Sequence, residues 1–524
     1  MLKIQGLRLR PGEAESALTQ KAQRELGCEI QGFQVLRRSV DARKKDDIAL
    51  VYAIAVKVAH EKQVLKKCRS KKVSFYEDAR YAFPVTRLRL PRRPVIVGMG
   101  PGGLFCGLML ARVGARPILL ERGRDVDART EDVAAFWSSG TLLPESNVQF
   151  GEGGAGTFSD GKLNTGVNDP RMEFILAELA AHGAPPEIRY DAAPHVGTDY
   201  LRQVVKSIRE ELISLGAEVR FRHRLTGILT ENGALRGLQV QGPEGIYTLE
   251  TDNAVLAIGH SARDTFQMLY DAGVPMEPKR FAVGVRIEHL QRDVTISQYG
   301  AEIGGLPAAS YKLSCHPDTG HGAFSFCVCP GGQVVAAASE PGRLCTNGMS
   351  LHARDGENIN GGLLVPVGPE DFGSDHPLGG MALQRRLEEA AFHLGGENYH
   401  APAQLVGDFL AGRPSAGPGR VQPSYRPGVT WTDLHRCLPS VITDTLEVAI
   451  PVLGKKLRGF DDPEAVLTAV ESRSSSPVRI SRDDTGQSAV RGLYPCGEGA
   501  GYAGGIMSAA ADGIRVAERV CANQ

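Results

Sequence analysis

The chain has 524 residues, equal numbers of basic and acidic side chains, and 42% apolar residues, which suits two or three globular domains. No stretch approaches the roughly 18 uncharged apolar residues of a membrane span, and the first residues lack the apolar core of a signal peptide. The ten cysteines include no CxxC pair, which favours reduced thiols over a disulfide framework. We therefore expect a cytoplasmic protein without a membrane span.

Residues 1–90 are predicted to form a small basic α+β module. Residues 1–93 carry 22 Lys and Arg against 10 Asp and Glu, and the remaining chain has an equal excess of acidic side chains. Strand-like apolar runs flank a helix-like run and a basic loop, and Pro84, Pro91 and Pro94 then indicate an extended linker. This loop has three alternative roles: it binds a nucleic-acid or protein partner, it is a solvated surface, or it docks on another part of the chain. Its basic tract consists of Arg37, Arg38, Arg43, Lys44 and Lys45.

The strongest motif follows the linker, in "VIVGMGPGGLFCGLMLARVGARPILLERG". A strand, a glycine-rich turn, a helix and a second strand follow one another, with G-x-G-x-x-G spacing at Gly98, Gly100 and Gly103. The first glycine permits a tight turn, the second lets the backbone approach a pyrophosphate, and the third packs the helix on the strand. An acid that ends the second strand accepts hydrogen bonds from an adenosine ribose. The predicted dinucleotide contacts are Gly98, Gly100, Pro101, Gly102, Gly103, Glu121 and Arg122.

The loop "GTFSDGKL", residues 156–163, matches most of a phosphate-binding P-loop. It departs from that motif because Leu163 stands where Ser or Thr should bind Mg²⁺, and because no buried strand precedes it. In flavoproteins, a glycine-rich loop at this point commonly crosses the flavin, and a lysine there favours reduced flavin by its charge. A solvent-facing loop is the alternative. The expected flavin contacts are Ser159, Gly161, Lys162 and Leu163.

Two later motifs favour FAD over NAD. "TDNAVLAIGHSAR" resembles the flavoprotein strand that ends in a glycine turn beside FAD, here at Gly259 and His260. "GLYPCGEGAGYAGGI" resembles the C-terminal flavin motif of proteins similar to glutathione reductase and p-hydroxybenzoate hydroxylase. That resemblance implies a ribitol contact by the acid, and the N-terminus of the following helix suits the negative charge of reduced flavin. The implied contacts are Gly497, Glu498, Gly504, Gly505 and Ile506.

Together these motifs resemble a largely uncharacterised bacterial and plastid family of FAD-dependent dehydrogenases. The resemblance spans nearly the whole chain, including the N-terminal module. It also includes the segments "FGEGGAGTFSDGKLNT", "SFCVCPGGQVVAAASEPG" and "ESRSSSPVRI". It implies an FAD cofactor in a single-Rossmann layout and defines no substrate.

The middle of the chain supplies candidates for chemistry. In "SFCVCPGG", strand alternation puts Cys327 and Cys329 on one face and Phe326 on the other. Structural thiols, a thiol redox partner for the flavin and a zinc site are the alternatives, and we expect no metal. His260 is either a proton donor beside the flavin or a turn residue. Arg286 either binds an acidic substrate or lies on a surface strand. The catalytic candidates are Lys162, His260 and Arg286.

The expected fold is α/β, with a discontinuous Rossmann-like FAD-binding domain, an inserted mixed α+β substrate domain and the N-terminal module. We expect no separate NAD(P)H-binding domain like that of glutathione reductase, so NAD(P)H would act only as a transient electron donor. The predicted function is an FAD-dependent oxidoreductase that transfers hydride through flavin N5 to or from a small or prenyl-like organic substrate. The alternative is a flavoprotein that docks to RNA or protein through the module. The predicted boundaries are 1–90 for the module, 94–268 and 483–524 for the FAD-binding domain, and 269–482 for the substrate domain.

Overall fold

The N-terminal module is a four-stranded antiparallel sheet with two helices. The computed structural model describes residues 1–78, 81–164, 166 and 169–523, so Thr165, the last residue of the segment "FGEGGAGTFSDGKLNT", lies outside the described residues. The elements of the module are β1 (Leu2–Leu9), α1 (Ala17–Leu26), β2 (Gly32–Asp41), β3 (Ala49–Lys57), α2 (Glu61–Lys67) and β4 (Val73–Phe75). Their strand order is β2-β3-β1-β4. Apolar side chains of β1, β3 and α1 form a separate small core.

Part of the basic tract lies in a strand, which corrects the prediction of a loop. Arg37 and Arg38 belong to β2, because this strand pairs with β3 beyond both residues. Arg38 donates to the two carboxylate oxygens of Asp191 at 2.6 and 2.9 Å, and Lys45 donates to the carbonyl of Ser297 at 2.7 Å. Two residues of the tract therefore hold the module on the rest of the chain.

The second unit is built on a five-stranded parallel sheet. Strands β7 (Glu218–Phe221) and β8 (Arg224–Glu231) are separated at Arg222, which adopts a left-handed conformation with φ of 62°. Strands β8 to β10 form a separate antiparallel sheet. The elements are β5 (Val95–Val97), α3 (Pro101–Arg112), β6 (Ile118–Glu121), α4 (Val126–Ser139), α5 (Arg171–Ala181), α6 (Thr198–Ser214), β7 (Glu218–Phe221), β8 (Arg224–Glu231), β9 (Ala234–Gly242), β10 (Gly245–Glu250), β11 (Ala254–Leu256) and α7 (Arg263–Asp271), with 3-10 turns at Ala155–Phe158 and Pro186–Arg189.

The third unit contains a seven-stranded sheet covered by helices. Its elements are β12 (Met276–Pro278), β13 (Phe281–Leu290), α8 (Gln291–Tyr299), β14 (Ser314–Cys315), β15 (Ala323–Cys329), β16 (Gln333–Ala336), β17 (Thr346–Met349), β18 (Asn358–Val367), α9 (Pro369–Phe372), α10 (Gly379–Leu394), β19 (Ala401–Leu405), α11 (Val406–Leu410), β20 (Val429–Trp431), a 3-10 turn (Leu434–Arg436), α12 (Ser440–Lys456), β21 (Val466–Glu471) and β22 (Val478–Ile480). The strand order of the large sheet is β14-β15-β18-β13-β21-β19-β20.

The end of the chain returns to the parallel sheet as β23 (Leu493–Pro495) and α13 (Ile506–Ala522). The order of this sheet is β23-β11-β5-β6-β7, so its strands come from both sides of the third unit. Helix α13 packs closely on α3, since a Cβ added to Gly513 would lie 2.1 Å from the carbonyl oxygen of Gly102. The predicted discontinuous Rossmann-like fold is confirmed, and the residue boundaries stay predictions. Among the described residues, every helix is too short or too polar to cross a bilayer.

Candidate functional site

The glycine-rich segments after β5, β11 and β23 meet at one edge of the parallel sheet. These strands run in the same direction, so their carboxyl ends lie side by side where open α/β sheets bind ligands. A cavity of about 780 Å³ opens there, which is a typical volume for a ligand site. Side chains of the third unit form its opposite wall, namely Lys279, Phe326, Cys327, Asn347, Glu471, Arg473 and Ser474.

The three glycines of the G-x-G-x-x-G fingerprint have different structural roles. A Cβ on Gly98, whose φ is 101°, would lie 2.2 Å from the carbonyl oxygen of Ala257. A Cβ on Gly103 would lie 1.9 Å from the carbonyl oxygen of Gly98, so helix α3 packs there directly on the turn. The nearest atom to a Cβ on Gly100 is 3.9 Å away. Gly98 and Gly103 therefore serve packing, and Gly100 keeps the cavity free of a side chain.

Two helix N-termini face the same cavity. Pro101 and Gly102 at the start of α3, and Ile506 and Met507 at the start of α13, line it. The first backbone N–H groups of a helix have no partner within the helix, and they carry a partial positive charge. Such N-termini bind phosphate groups and stabilise anions. Two of them in one elongated cavity fit the pyrophosphate and the charged ring edge of reduced FAD.

Glu121 is held at the base of the cavity by the backbone. Its carboxylate accepts hydrogen bonds from the N–H groups of Met99 at 3.0 Å, and of Gly123 and Gly151 at 2.9 Å each. A carboxylate offers about four acceptor positions. One acceptor position therefore remains for a ribose hydroxyl, and the other three fix the turn around Gly98.

Glu498 and His260 are brought together from distant segments. The Nδ1 atom of His260 lies 3.0 Å from a carboxylate oxygen of Glu498, and both residues line the cavity. The other ring nitrogen, Nε2, is buried and has no hydrogen-bond partner among the described residues. Buried polar atoms without a partner are rare in folded proteins. A polar ligand bound in the cavity would therefore supply the hydrogen-bond partner of Nε2.

A buried aspartate that the sequence analysis missed supports the glycine turn before Glu498. Asp512 accepts a hydrogen bond from the backbone N–H of Gly497 at 2.8 Å. It also pairs with both terminal nitrogens of Arg482 at 2.7 and 2.9 Å. Its carboxylate stands in an otherwise apolar helix segment, "AAADGI". That isolated charge is the signal that could have identified it.

The predicted flavin loop turns its charged groups toward the third unit. Lys162 hydrogen-bonds the carbonyl of Val328 and lies 3.5 Å from the carboxylate of Asp160. Asp160 also pairs with Arg354, at 3.0 Å from its Nε. Burial raises the pKa of Asp160, but the charges of Lys162 and Arg354 outweigh burial and hold that pKa below its usual value. The loop is thus tied across the cavity, with Ser159 and Lys162 on its lining.

Three predicted cofactor contacts do not line the cavity. Gly103 lies beneath the turn, and Gly161 adopts a φ of 69° beside Leu201. Leu163 is 2% exposed and belongs to the core. The remaining predicted contacts do line the cavity, namely Gly98, Gly100, Pro101, Gly102, Glu121, Arg122, Ser159, Lys162, Gly259, His260, Gly497, Glu498, Gly504, Gly505 and Ile506.

Arg286 lies behind the cavity wall, which corrects the surface-strand alternative. Its strand β13 is buried along nearly its whole length and lies inside the sheet between β18 and β21. Arg286 binds both carboxylate oxygens of Glu471 and donates to Asn347 at 3.0 Å. Burial raises the pKa of Glu471, and the charge of Arg286 opposes that rise. Arg286 thus supports two residues of the cavity wall and does not face the cavity itself.

Strand β15 departs from the predicted alternation. The pairing of β15 with β18 shifts between Phe326 and Cys329, and Cys327 adopts a φ of 43°. Such a bulge turns consecutive side chains to the same side of a strand. Phe326 and Cys327 both line the cavity as a result.

The sequence analysis did not identify the other residues of the opposite cavity wall, for a different reason. Lys279, Asn347 and Arg473 come from three separate segments and share no motif spacing in the sequence. Burial, followed by the charge of Arg479, lowers the pKa of Lys279, and the charge of Glu498 opposes this effect. The cavity therefore places a lysine that gives up its proton more readily than usual opposite the glycine loops.

Comparison with protein families supports the FAD interpretation. A family model described as "FAD-dependent protein, C-terminal domain-like" matches residues 280–474, which include all seven strands of the large sheet. A domain of unknown function, DUF8436, matches residues 1–57. The chain is 49% identical over 497 residues to an uncharacterised protein of Clostridium beijerinckii, covering 94% of this chain and 92% of that relative.

Solved structures show only distant similarity. An L-proline dehydrogenase from P. horikoshii is 13% identical, with a TM-score of 0.37, and the match covers 83% of this chain and 95% of that chain. A glycerol-3-phosphate dehydrogenase from Bacillus halodurans, complexed with FAD, is 11% identical, with a TM-score of 0.37, and the match covers 83% and 65%. These similarities carry no conclusion about a substrate.

Proposed function

This chain belongs to the same family as the uncharacterised protein of Clostridium beijerinckii, and we propose that it transfers hydride between FAD and a small organic substrate. The observation that carries the proposal is the cavity between two unlike walls. One wall consists of glycine loops and helix N-termini suited to a dinucleotide, and the other of polar and aromatic side chains from the third unit. A substrate held against the second wall would lie next to the cofactor.

The first wall offers a place for each part of FAD. We assign the pyrophosphate to Gly100 and the N-terminus of α3, and the adenosine ribose to the free acceptor position of Glu121. Glu498 is assigned to a ribitol hydroxyl, and the N-terminus of α13 to the flavin edge. When bound, FAD supplies hydride transfer at N5, and the protein supplies orientation and electrostatics.

The second wall supplies polar groups that would orient and protonate a substrate. Asn347 lines the cavity with an amide, and Phe326 adds an aromatic surface. Arg473 also lines the cavity, and Glu388 holds its guanidinium. Lys279 Nζ is our candidate for proton transfer, because its lowered pKa brings it closer to the pH at which an acid–base catalyst works well. His260 Nε2 would donate or accept one hydrogen bond with the bound cofactor or substrate.

A flavin assay of the purified protein tests the proposed function. We expect the protein to retain FAD and to show flavin absorbance that bleaches anaerobically with NADH, NADPH or an oxidisable substrate found in a metabolite screen. A protein that remains colourless after reconstitution with FAD would contradict the proposal. Bleaching by a metabolite but by neither nicotinamide would exclude only the transient nicotinamide donor.

We expect Glu498→Ala to weaken FAD binding about 10- to 100-fold, because a hydrogen bond to a charged group contributes about 1.5–3 kcal/mol. The thermal stability of the FAD-free form should change little, since the side chain is partly exposed and bonds only His260 among the described residues. Glu250→Ala is the control, because Glu250 is exposed and pairs with Arg92 away from the cavity. Equal FAD dissociation constants for the two variants would remove Glu498 from the cofactor site.

A further inference from the structure

The bulge in β15 brings two cysteine side chains together at the cavity wall. Cys327 lines the cavity, and Cys329, two residues later, is buried behind it. The Cys329 thiol donates a hydrogen bond to the carbonyl oxygen of Cys327 at 3.2 Å, so its sulfur lies beside the backbone of Cys327. A left-handed conformation is uncommon for a residue other than glycine and often occurs at functional sites. Here it accompanies the placement of Cys327 on the cavity lining.

Two cations contact the backbone of this pair. Lys162 hydrogen-bonds the carbonyl of Val328, the residue between the cysteines, and Arg286 donates to the carbonyl of Cys327 at 2.9 Å. The neighbouring Cys329 thiol, followed by the charges of Lys162 and Arg286, outweighs burial and lowers the pKa of Cys327. The neighbouring Cys327 thiol and burial raise the pKa of Cys329. Reactive thiols occur in such electropositive, partly accessible surroundings.

The other buried cysteines of the chain lack this combination. Burial raises the pKa of all six, namely Cys106, Cys315, Cys345, Cys437, Cys496 and Cys521. Of these, only Cys496 lines the cavity, and it has no second thiol next to it in sequence. The Cys327–Cys329 pair is therefore set apart by its paired thiols, its two cations and its position opposite the glycine loops.

We propose that Cys327 and Cys329 form a redox-active dithiol–disulfide pair that exchanges two electrons with FAD across the cavity. In the oxidising direction, the Cys327 thiolate and the Cys329 thiol together lose two electrons and one proton, and one S–S bond forms. FAD gains the two electrons and the proton as FADH⁻. In the reverse direction the S–S bond breaks, Cys327 leaves as a thiolate and Cys329 takes up the proton. This proposal rests on the proposed function only because it takes FAD as the electron partner of the cysteine pair.

Alkylation of the protein in thiol buffers tests the pair without relying on the flavin. The protein is equilibrated anaerobically at graded ratios of oxidised to reduced dithiothreitol, quenched in acid, alkylated with iodoacetamide and digested with trypsin. The peptide of residues 313–343 contains Cys315, Cys327 and Cys329. We expect all three to be alkylated in reducing buffer, and only Cys315 in oxidising buffer. Three alkylated cysteines at every ratio would overturn the proposal.

Two variants identify the partners in the disulfide. Cys329→Ser should prevent the oxidised form, and Cys315→Ser should retain it, because Cys315 lies on β14 outside the cavity lining. Loss of the oxidised form in Cys315→Ser would overturn the proposed pairing. The alkylation pattern can be measured with or without FAD, so a variant with weakened cofactor binding still reports on it.

An anaerobic dithionite titration tests electron exchange with FAD. Wild type and Cys315→Ser should each take up about four electrons per FAD, and Cys329→Ser about two, because a flavin and a disulfide each accept two. Flavin bleaching with an uptake of only two electrons by the oxidised wild type would overturn the thiol proposal and leave the proposed flavin function intact. Failure of the flavin to bleach at all would contradict the proposed function, while the alkylation result would still decide whether the pair forms.

Discussion

Replacing Gly103 with alanine is expected to abolish FAD binding and to lower the free energy of unfolding by about 3 kcal/mol, the upper range for overpacking. The added Cβ would lie 1.9 Å from the carbonyl oxygen of Gly98, so the turn or helix α3 must move. The helix has little room on its other side, because Gly102 contacts Gly513 of α13 backbone to backbone. Urea unfolding and FAD titration of the variant measure the two effects separately.

Gly100→Ala is the matched control three residues away. The backbone of Gly100 has φ of −71° and ψ of −179°, which alanine adopts without strain, and the nearest atom to the new Cβ would be 3.9 Å away. We expect the FAD-free control to unfold like wild type but to bind FAD more weakly, because its methyl group enters the cavity. If Gly103→Ala unfolded at the same urea concentration as this control, the packing role of Gly103 would be wrong.

Replacing Glu388 with glutamine is expected to cost about 3 kcal/mol of stability at neutral pH, the lower range for breaking a buried ion pair. Glu388 is fully buried between Arg263 and Arg473, whose side chains are 1% and 3% exposed. Arg263 donates to its carboxylate at 2.7 and 2.9 Å, and Arg473 at 2.8 and 2.9 Å. The variant leaves two buried guanidinium groups with less compensating charge, and chemical unfolding at pH 7 measures the loss.

This loss should depend on pH in a defined direction. Burial raises the pKa of Glu388, but the charges of Arg263 and Arg473 outweigh burial and hold that pKa well below its usual range. Because the folded-state pKa is depressed, the stabilisation is present above the unfolded pKa of about 4.3 and is lost as the pH falls through the folded pKa. The difference in unfolding free energy between wild type and Glu388→Gln should therefore shrink below about pH 4.

Glu397→Gln is the control for this pair of measurements. Glu397 pairs with His393 on the surface, with both side chains more than half exposed, and such pairs contribute at most about 1 kcal/mol. The control should unfold like wild type at neutral pH. Two results would contradict the stabilising role of the ion pairs that Glu388 forms with Arg263 and Arg473. One is a Glu388→Gln variant as stable as Glu397→Gln, and the other is a stability difference between wild type and Glu388→Gln that does not change with pH. Because Arg473 also lines the cavity, we expect Glu388→Gln to disturb substrate binding as well.

The parts of the fold that could be predicted are those governed by short stretches of backbone. The fingerprint around Gly98 and Gly103 was recognisable because tight turns and close helix packing need glycine at fixed spacing. The late motif around Glu498 indicated that the chain returns to the parallel sheet at its end, as β23 does. The alternation assumed for β15 failed because the bulge at Cys327 depends on pairing with β18, which the strand's own residues do not reveal.

The amino-acid sequence by itself determined most of the glycine loops that line the cavity, because tight turns and close packing need glycine at fixed local spacing. The resemblance of its motifs implied the FAD family and the discontinuous Rossmann-like fold. Only the tertiary structure decided which distant side chains meet. It joined His260 to Glu498, Asp512 to the turn at Gly497, and Arg286 to the rear of the cavity wall. The physical reason is that the burial and pairing of a side chain depend on how segments distant in sequence pack together. The local sequence around a charged residue is the same whether its partner is exposed or buried.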